Sequence, residues 1–392
     1  MNSLKNDDIA QLMVDGGDFG SSKSKSQILK VEYLLKGMSL LKYDAITLGE
    51  KDLQYGVAFL EEMRDKFHLP FISANIYDIA KDKLFAEPYI IKTVKGRKFG
   101  IFGVTLAQGV GRTVTPATGF RIEDPISAAQ ASVKELREKC DVVIALTHLS
   151  INGAISLAEK IEGIDIVVSG HNGSHLRNPH KVGKSYVLQP GSKGKYLGQF
   201  DFTLSGGRIT QAEGKTVALS DKYQDDEELA NVVKQYDDEV LLAFPLESPK
   251  AKTGYSLMSE KTCRGCHYNQ HKQWRSTPHA HAWETLVQKK QAHNPDCQQC
   301  HTTLFGQSSG FSSLKDSPDL VSVQCVTCHQ LVSTRVKTHF ERFRGKKKAS
   351  NVSSNGEAVD FAAISEKTCL QCHNEDNSPN FDYQTFLAKI AH

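Results

Sequence analysis

Up to residue 218, short apolar runs alternate with stretches whose apolar positions recur every three or four residues. The first pattern is that of buried strands and the second that of helices lying on a sheet. Strands are expected at 11–14, 45–48, 71–74, 142–146 and 164–168, and helices at 28–41, 56–67, 128–138 and 151–161. A hairpin is expected from 89–93 and 99–104 around Lys95-Gly96, with closing strands at 186–188, 198–204 and 209–218. This alternation predicts an α/β layered sandwich. Polar turns follow the strand ends: Asp15-Gly16-Gly17-Asp18, Gly49-Glu50-Lys51-Asp52, Thr147-His148-Leu149 and Gly170-His171-Asn172. In such folds, sites gather at the ends of the strands.

Beyond residue 220 the pattern changes. Residues 221–245 are charged and helical, with Asp225-Asp226-Glu227-Glu228 suited to a helix N-terminus and Pro245 and Pro249 beyond its end. After residue 255 the apolar runs are short: Phe311, Leu314, Leu320-Val321, Val332, Phe340 and Phe343. Residues 256–392 are too poor in such runs to build a good core from protein alone. Three segments result: an α/β domain at 1–220, a helical connector at 221–255 and a loop- and helix-rich domain at 256–392.

Composition sharpens that division. The 392 residues are 39% hydrophobic and 24% charged, which excludes a collagen-like or wholly disordered chain. The net charge of +3 does not suggest nucleic acid as a partner, and no apolar run is long enough for a transmembrane helix. Residues 256–392 hold 16 Lys+Arg and 12 Asp+Glu, a net of +4, so the rest of the chain carries about −1. Of nine cysteines, only Cys140 precedes residue 255, and it is expected to be a small buried residue.

The other eight cysteines form four pairs, and a histidine follows each pair. They read Cys263-x-x-Cys266-His267, Cys297-x-x-Cys300-His301, Cys325-x-x-Cys328-His329 and Cys369-x-x-Cys372-His373. Two thiols at this spacing can each form a thioether to a haem vinyl group, and the next residue places an imidazole under the iron. Zinc sites and disulfides do not require a histidine after every pair. Four covalent haem c groups are therefore expected, and without them the segment is not expected to fold. Six further histidines, His271, His279, His281, His293, His339 and His392, could supply second axial ligands, and Met258 is the one methionine of the segment.

This segment resembles the tetrahaem cytochrome c-554 family over most of residues 261–392. The resemblance rests on the first motif followed by Trp274 and Ser276-Thr277-Pro278-His279-Ala280, on Gly306 and Gly310-Phe311 after the second, and on Val323-Gln324 before the third. It implies that His279, His339 and His392 are distal ligands to the fourth, first and third haems, and that the haem on His301 lacks one. His271, His281 and His293 stay open as candidates for that position. His281, two residues after His279, would point about 200° away from it on a helix, so one iron cannot easily take both.

The first domain resembles the catalytic domain of the metallophosphoesterase superfamily, nearest the 5′-nucleotidase branch, over residues 11–218. Asp15-Gly-Gly-Asp18 is similar to its D-x-G-D, the run Tyr43–Gly49 to the approach to its G-N-H-E, and Thr147-His148 to its T-H. Ser169-Gly170-His171 resembles the start of its G-H-x-H, and Gly191–Gly198 its late glycine-rich run. The resemblance implies a metal centre, but Glu50-Lys51 stands where the family has Asn-His and Gly173 where it has a second histidine. The expectation is a single-metal site of Asp18, Glu50, His148 and His171 for Zn, Mn or Fe. Two-metal hydrolysis would be compromised. Lys51 and His148 are the candidate catalytic residues. Lys51 either offsets Asp18 and Glu50 in place of a metal, which is the favoured reading, or holds a phosphate as a point charge.

The opening residues lack an apolar signal core, and the family's first motif, which precedes D-x-G-D, has no counterpart. Haem attachment of this type takes place outside the bacterial inner membrane, so a longer N-terminus and a periplasmic or cell-surface location are expected. The function expected is electron transfer with redox partner proteins such as other cytochromes. Two alternatives are redox chemistry on a nitrogen-oxide-type ligand at an open haem and metal-dependent phosphoester hydrolysis. Lys346-Lys347-Lys348 is expected to be a solvated loop that could also dock an acidic redox partner.

Overall fold

The computed structural model describes residues 11–106, 118–171, 175–246, 256, 258–329, 364–374, 377–378 and 380–391. Its contacts divide the chain into two units, Met1–Tyr236 and Asp237–His392, and the division falls within the helix Glu227–Ala243. His339, His392, Gly173 and Lys346-Lys347-Lys348 lie outside the described residues.

The described strands of the first unit form four sheets, two of which make up a layered α/β sandwich. One is parallel, in the order Val14–Asp15, Ala45–Thr47, Phe71–Ile72. The other has six strands, in the order His180–Val182, Ser185–Leu188, Ile166–Ser169, Val142–His148, Arg97–Thr105, Tyr89–Val94. Its four central strands run parallel, and its two edge strands are antiparallel.

Period-two geometry explains the continuous apolar runs. Along Val142–His148, residues Val142, Ile144 and Leu146 face a core shared with Ala45 and Ile72 of the parallel sheet. Val143 and Ala145 face the other way, into a core with Val133 and Leu136 of the helix Pro125–Arg137 and Leu157 of the helix Ile151–Lys160. A third core packs Val31, Leu35, Leu60 and Met63, from Lys25–Leu41 and Val57–Phe67, beneath the parallel sheet. Both faces of each sheet are thus covered, so alternation of polar and apolar residues would be destabilising there.

The helices begin where the side chains can cap them. Ser24, Asp124 and Ser150 accept the backbone N–H of Gln27, Ser127 and Gly153. Some expectations shift. Within 11–14 only Val14 joins a strand, and residues 50–53, expected as a turn, form the short helix Glu50–Leu53. A small sheet of Lys83–Leu84, Ile76–Asp78 and Phe120–Ile122 was not expected. These strands are two or three residues long, too short to show a period.

In the second unit the described helices are short: Glu260–Arg264, Tyr268–Arg275, Ala282–Gln288, Pro295–His301, Cys325–His329, Glu366–Leu370 and Tyr383–Ile390. One small apolar cluster is centred on Met258, Phe311, Leu320 and Val326, with Trp283 against it. Phe311 is fully buried, yet this cluster is far smaller than those of the first unit. His279 and His281 lie on a 3-10 turn, Pro278–His281, rather than on an α-helix.

Candidate metal centre and haem-binding segment

Asp18, Glu50, His148 and His171 come together at the C-terminal ends of parallel strands from both sheets. One ligand atom of each lies within 4.8 Å of the others. Two imidazoles and two carboxylates with bonds of about 2.1 Å around one ion would place donors roughly 3.4 Å apart. The donors here are similarly spaced. His148 Nε2 is 2.9 Å from Glu50 Oε2, 3.4 Å from Asp18 Oδ1 and 3.1 Å from His171 Nδ1. His171 Nδ1 is 3.4 Å from Glu50 Oε1.

The tautomer of His148 matters. Its Nδ1 is 2.7 Å from the Gly16 carbonyl and donates to it, so in a neutral ring the lone pair of Nε2 faces the carboxylates. Glu50 Oε2 is buried and has no hydrogen-bond partner unless that ring takes a second proton. Either a proton or a metal ion is needed between these atoms. Without metal, the proton takes the position. Burial would lower the His148 pKa, but Asp18 and Glu50 outweigh it and raise it to about 10. Burial acts to raise both carboxyls, but their bonds to His148 hold them below the usual carboxylate range. This donor set suits one Zn, Mn or Fe ion.

Lys51 is paired with Asp18. Its Nζ is 2.5 Å from Asp18 Oδ2, and its backbone N–H donates to Oδ1 at 3.0 Å. Half-exposed, the ammonium occupies the carboxylate oxygen that faces away from the histidines.

Close backbone approach makes the cluster possible. A Cβ on Gly49 would overlap Asp18 Oδ1 and come within 2.7 Å of His148 Cε1. Gly16 and Gly170 touch backbone to backbone, joining the ends of the two sheets. Asp18 itself has φ 64, in the left-handed region.

Asp52 was not expected to matter. Fully buried, it accepts the backbone N–H of Asp18 at 2.7 Å, Gly49 at 2.8 Å and Gly20 at 2.9 Å. It therefore ties the Asp18 loop to the turn that carries Glu50. Burial pushes its pKa up to about 8, with Asp18 adding to the rise and the three N–H groups opposing it. An aspartate three residues after Gly49 is a helix-start signal that a reading of the segment as a turn overlooks.

In the second unit, His279 and His373 face each other, Nε2 to Nε2, at 3.5 Å. Two imidazoles facing each other through their Nε2 atoms are the donor set that would hold a bis-histidine haem on the fourth motif. The Nδ1 of His373 is 3.1 Å from the Ser378 hydroxyl. His301 Nδ1 lies 2.8 Å from the Ala282 carbonyl and 3.2 Å from Thr285 Oγ1, which leaves Nε2 as its ligand atom. Among the described residues, no imidazole faces that ring. His271 is engaged by Glu260 at 2.5 Å, and His281 by Glu284 at 2.6 Å and the Arg275 carbonyl at 3.1 Å. His293 is buried beside Asp237 with Nε2 unpartnered. Thiols of different motifs meet: Cys263 with Cys325 and Cys300 with Cys372. The donor set of thiol pairs and imidazoles fits covalent haem. Cys140 packs half-buried against Gly100 and Leu136, and burial raises its pKa. Among the described residues, no helix is long and apolar enough to cross a membrane.

Residues 262–330 match the family model for cytochrome c554 and c-prime. The chain also resembles 5′-nucleotidases. A 5′-nucleotidase of Vibrio cholerae is 28% identical over 242 residues, 53% of this chain and 44% of that protein. A 5′-nucleotidase of Bos taurus is 28% identical over 260 residues, 62% of this chain and 42% of that protein. The chain thus spans less than half the length of the curated relatives it matches. The sulfate thiohydrolase SoxB of Thermus thermophilus, solved with glycerol, superposes with a TM-score of 0.53 at 23% identity, covering 61% of this chain and 44% of that one. A 5′-nucleotidase precursor, also from Thermus thermophilus, gives 0.53 at 21%, covering 62% and 52%. At these identities, the superpositions establish a phosphoesterase-type fold for the first unit.

Proposed function

We propose that this protein is a multihaem c-type cytochrome that transfers electrons outside the cytoplasmic membrane, and that its phosphoesterase-like domain holds one divalent metal. The observation that carries the reading is the facing of His279 and His373 within a segment that has four C-x-x-C-H motifs. Haem supplies the one-electron chemistry. The chain's own part would be to orient the imidazoles of His301 and His373 through their hydrogen-bond partners, the Ala282 carbonyl and the Ser378 hydroxyl. Two imidazole ligands favour a low potential relative to His/Met ligation, so the partners would be other low-potential redox proteins. Reduced pyridine spectra should give four haems per chain, and denaturing gels should retain haem staining. Fewer than three haems would overturn the reading.

Phosphoester hydrolysis is the second reading, and the four-ligand cluster favours it. In it, Asp18, Glu50, His148 and His171 would hold the ion, which would polarise the ester and activate water. Lys51, half-exposed at the edge of the cluster, would meet the anionic leaving side. Hydrolysis of a generic phosphoester that needs Mn or Zn and is lost in His148→Ala would establish it. A third reading, chemistry on a small ligand at the haem of His301, draws on the lack of a facing imidazole among the described residues. A high-spin spectrum that shifts on adding nitrite or nitric oxide supports it, and fully six-coordinate spectra exclude it.

A further inference from the structure

Burial alternates along the strand Ser185–Leu188 and one residue beyond it. Ser185, Val187 and Gln189 are buried, while Tyr186 and Leu188 are half-buried. Val187 on the buried side packs into the apolar core with Val143 and Leu157. Gln189 therefore holds a position that an apolar side chain would suit, and a buried amide there calls for polar partners. It finds one at the metal cluster. Val168 pairs with Leu188 in a parallel register, so Gln189 follows beside the end of Ile166–Ser169, the strand that leads into Gly170 and His171. Its Nε2 donates to the His171 carbonyl at 2.8 Å. Its own carbonyl accepts the Leu176 N–H at 2.8 Å. One residue thus holds both ends of the connection that begins at a ligand of the cluster. Only the amide nitrogen can serve a carbonyl, so the orientation of the side chain is fixed. That orientation leaves Oε1 buried with no hydrogen-bond partner among the described residues. The bond to His171 is kept although it strands an acceptor.

His171 has reason to need this bond. The atom it offers to the cluster is Nδ1, 3.1 Å from His148 Nε2 and 3.4 Å from Glu50 Oε1. Nδ1 is attached to the ring carbon nearest the main chain, so any shift of the backbone at 171 carries straight to the ligand atom. We propose that Gln189 is a positioning residue for His171: its amide locks the His171 carbonyl and so fixes where Nδ1 meets the ion. The proposal rests on the metal-site reading and adds to it a residue outside the four ligands.

The test uses the full-length, haem-loaded protein and equilibrium dialysis with Zn. Gln189→Met keeps the length of the side chain and removes the donor. Zn affinity should fall about tenfold or more, as for the loss of other groups that orient metal ligands. In a His171→Ala background the same change should have no further effect, because a residue that acts through His171 has nothing left to act on. Ser185→Ala is the control. It removes a bond of the same kind, from Ser185 Oγ to the Ile164 carbonyl at 2.6 Å, at the other end of the same strand, and should leave Zn affinity unchanged. In the metal-free protein, carbethoxylation of His171 by diethyl pyrocarbonate, read by peptide mass, should run several-fold faster in Gln189→Met than in the wild type. Unchanged Zn affinity in Gln189→Met would overturn the proposal. So would an equal loss in the His171→Ala background or in the Ser185→Ala control, or an unchanged carbethoxylation rate. Wild-type protein that binds no Zn would overturn the metal-site reading, and the carbethoxylation rate would then decide by itself whether Gln189 positions His171.

Discussion

Asp52 offers the sharpest test of how the first unit builds its metal cluster. Its buried carboxyl accepts three backbone N–H groups at 2.7–2.9 Å, two of them on Oδ2 and one on Oδ1. Asp52→Ala strands all three donors. A buried unmet donor costs about 1–3 kcal/mol, so the three together should cost about 3–6 kcal/mol once water recovers part of the loss. That is a large share of the roughly 5–15 kcal/mol that holds a typical domain together. Asp52→Asn should be milder. Its carbonyl oxygen can serve Asp18 and Gly49, while its amide confronts the Gly20 N–H, at a cost of about 1–3 kcal/mol. Asparagine also escapes the burial that pushes the native carboxyl up to about 8, which moves its cost toward the low end. Because Asp52 sets the backbone under Asp18 and Glu50, metal affinity should fall by about 10–100-fold in Asp52→Asn. Urea unfolding followed by far-UV circular dichroism gives the stabilities, and equilibrium dialysis with elemental analysis gives the bound metal. The reasoning is refuted if Asp52→Ala unfolds with the wild type, if Ala and Asn cost the same, or if metal affinity is unchanged in Asp52→Asn.

Four other outcomes are expected. In the metal-free protein His148 is raised to about 10, so the stability its charge provides is fully present below about pH 6.5 and is lost as pH rises through 10. Urea midpoints across pH 6–10 should fall for the wild type and stay flat for His148→Gln at this group. Gly49→Ala places a methyl against Asp18 Oδ1 and His148, so elemental analysis should show metal lost while circular dichroism shows the fold kept. His279→Ala removes the imidazole facing His373, and electron paramagnetic resonance should show one haem turning high-spin with the haem count unchanged. Cys263→Ala with Cys266→Ala should leave three haems per chain in the pyridine assay.

Much of this protein is legible in its residues because the relevant physics is local. Strand and helix periods follow from backbone geometry, so the apolar runs of 45–48 and 142–146 identify buried strands wherever the chain takes them. The haem motifs are likewise local, since thioether attachment needs two thiols and an imidazole within five consecutive residues. The four metal-ligand candidates could be named because the turns that carry them resemble metallophosphoesterase motifs, although they are spread over positions 18 to 171.

What only the tertiary structure decided depends on contacts between distant segments. That Lys51 takes one oxygen of Asp18 and that Asp52 gathers three N–H groups both follow from how two sheets meet. The meeting is set by Gly16 and Gly170, whose missing side chains let the strand ends touch. Likewise His271 and His281 stood open as candidate ligands, and only resemblance tied His279 to the fourth haem. Folding gave the first to Glu260 and the second to Glu284, and turned the third toward His373. Spacing along the chain narrows the possible ligands, but only packing determines which lone pairs remain for a metal, because every other polar neighbour competes for them.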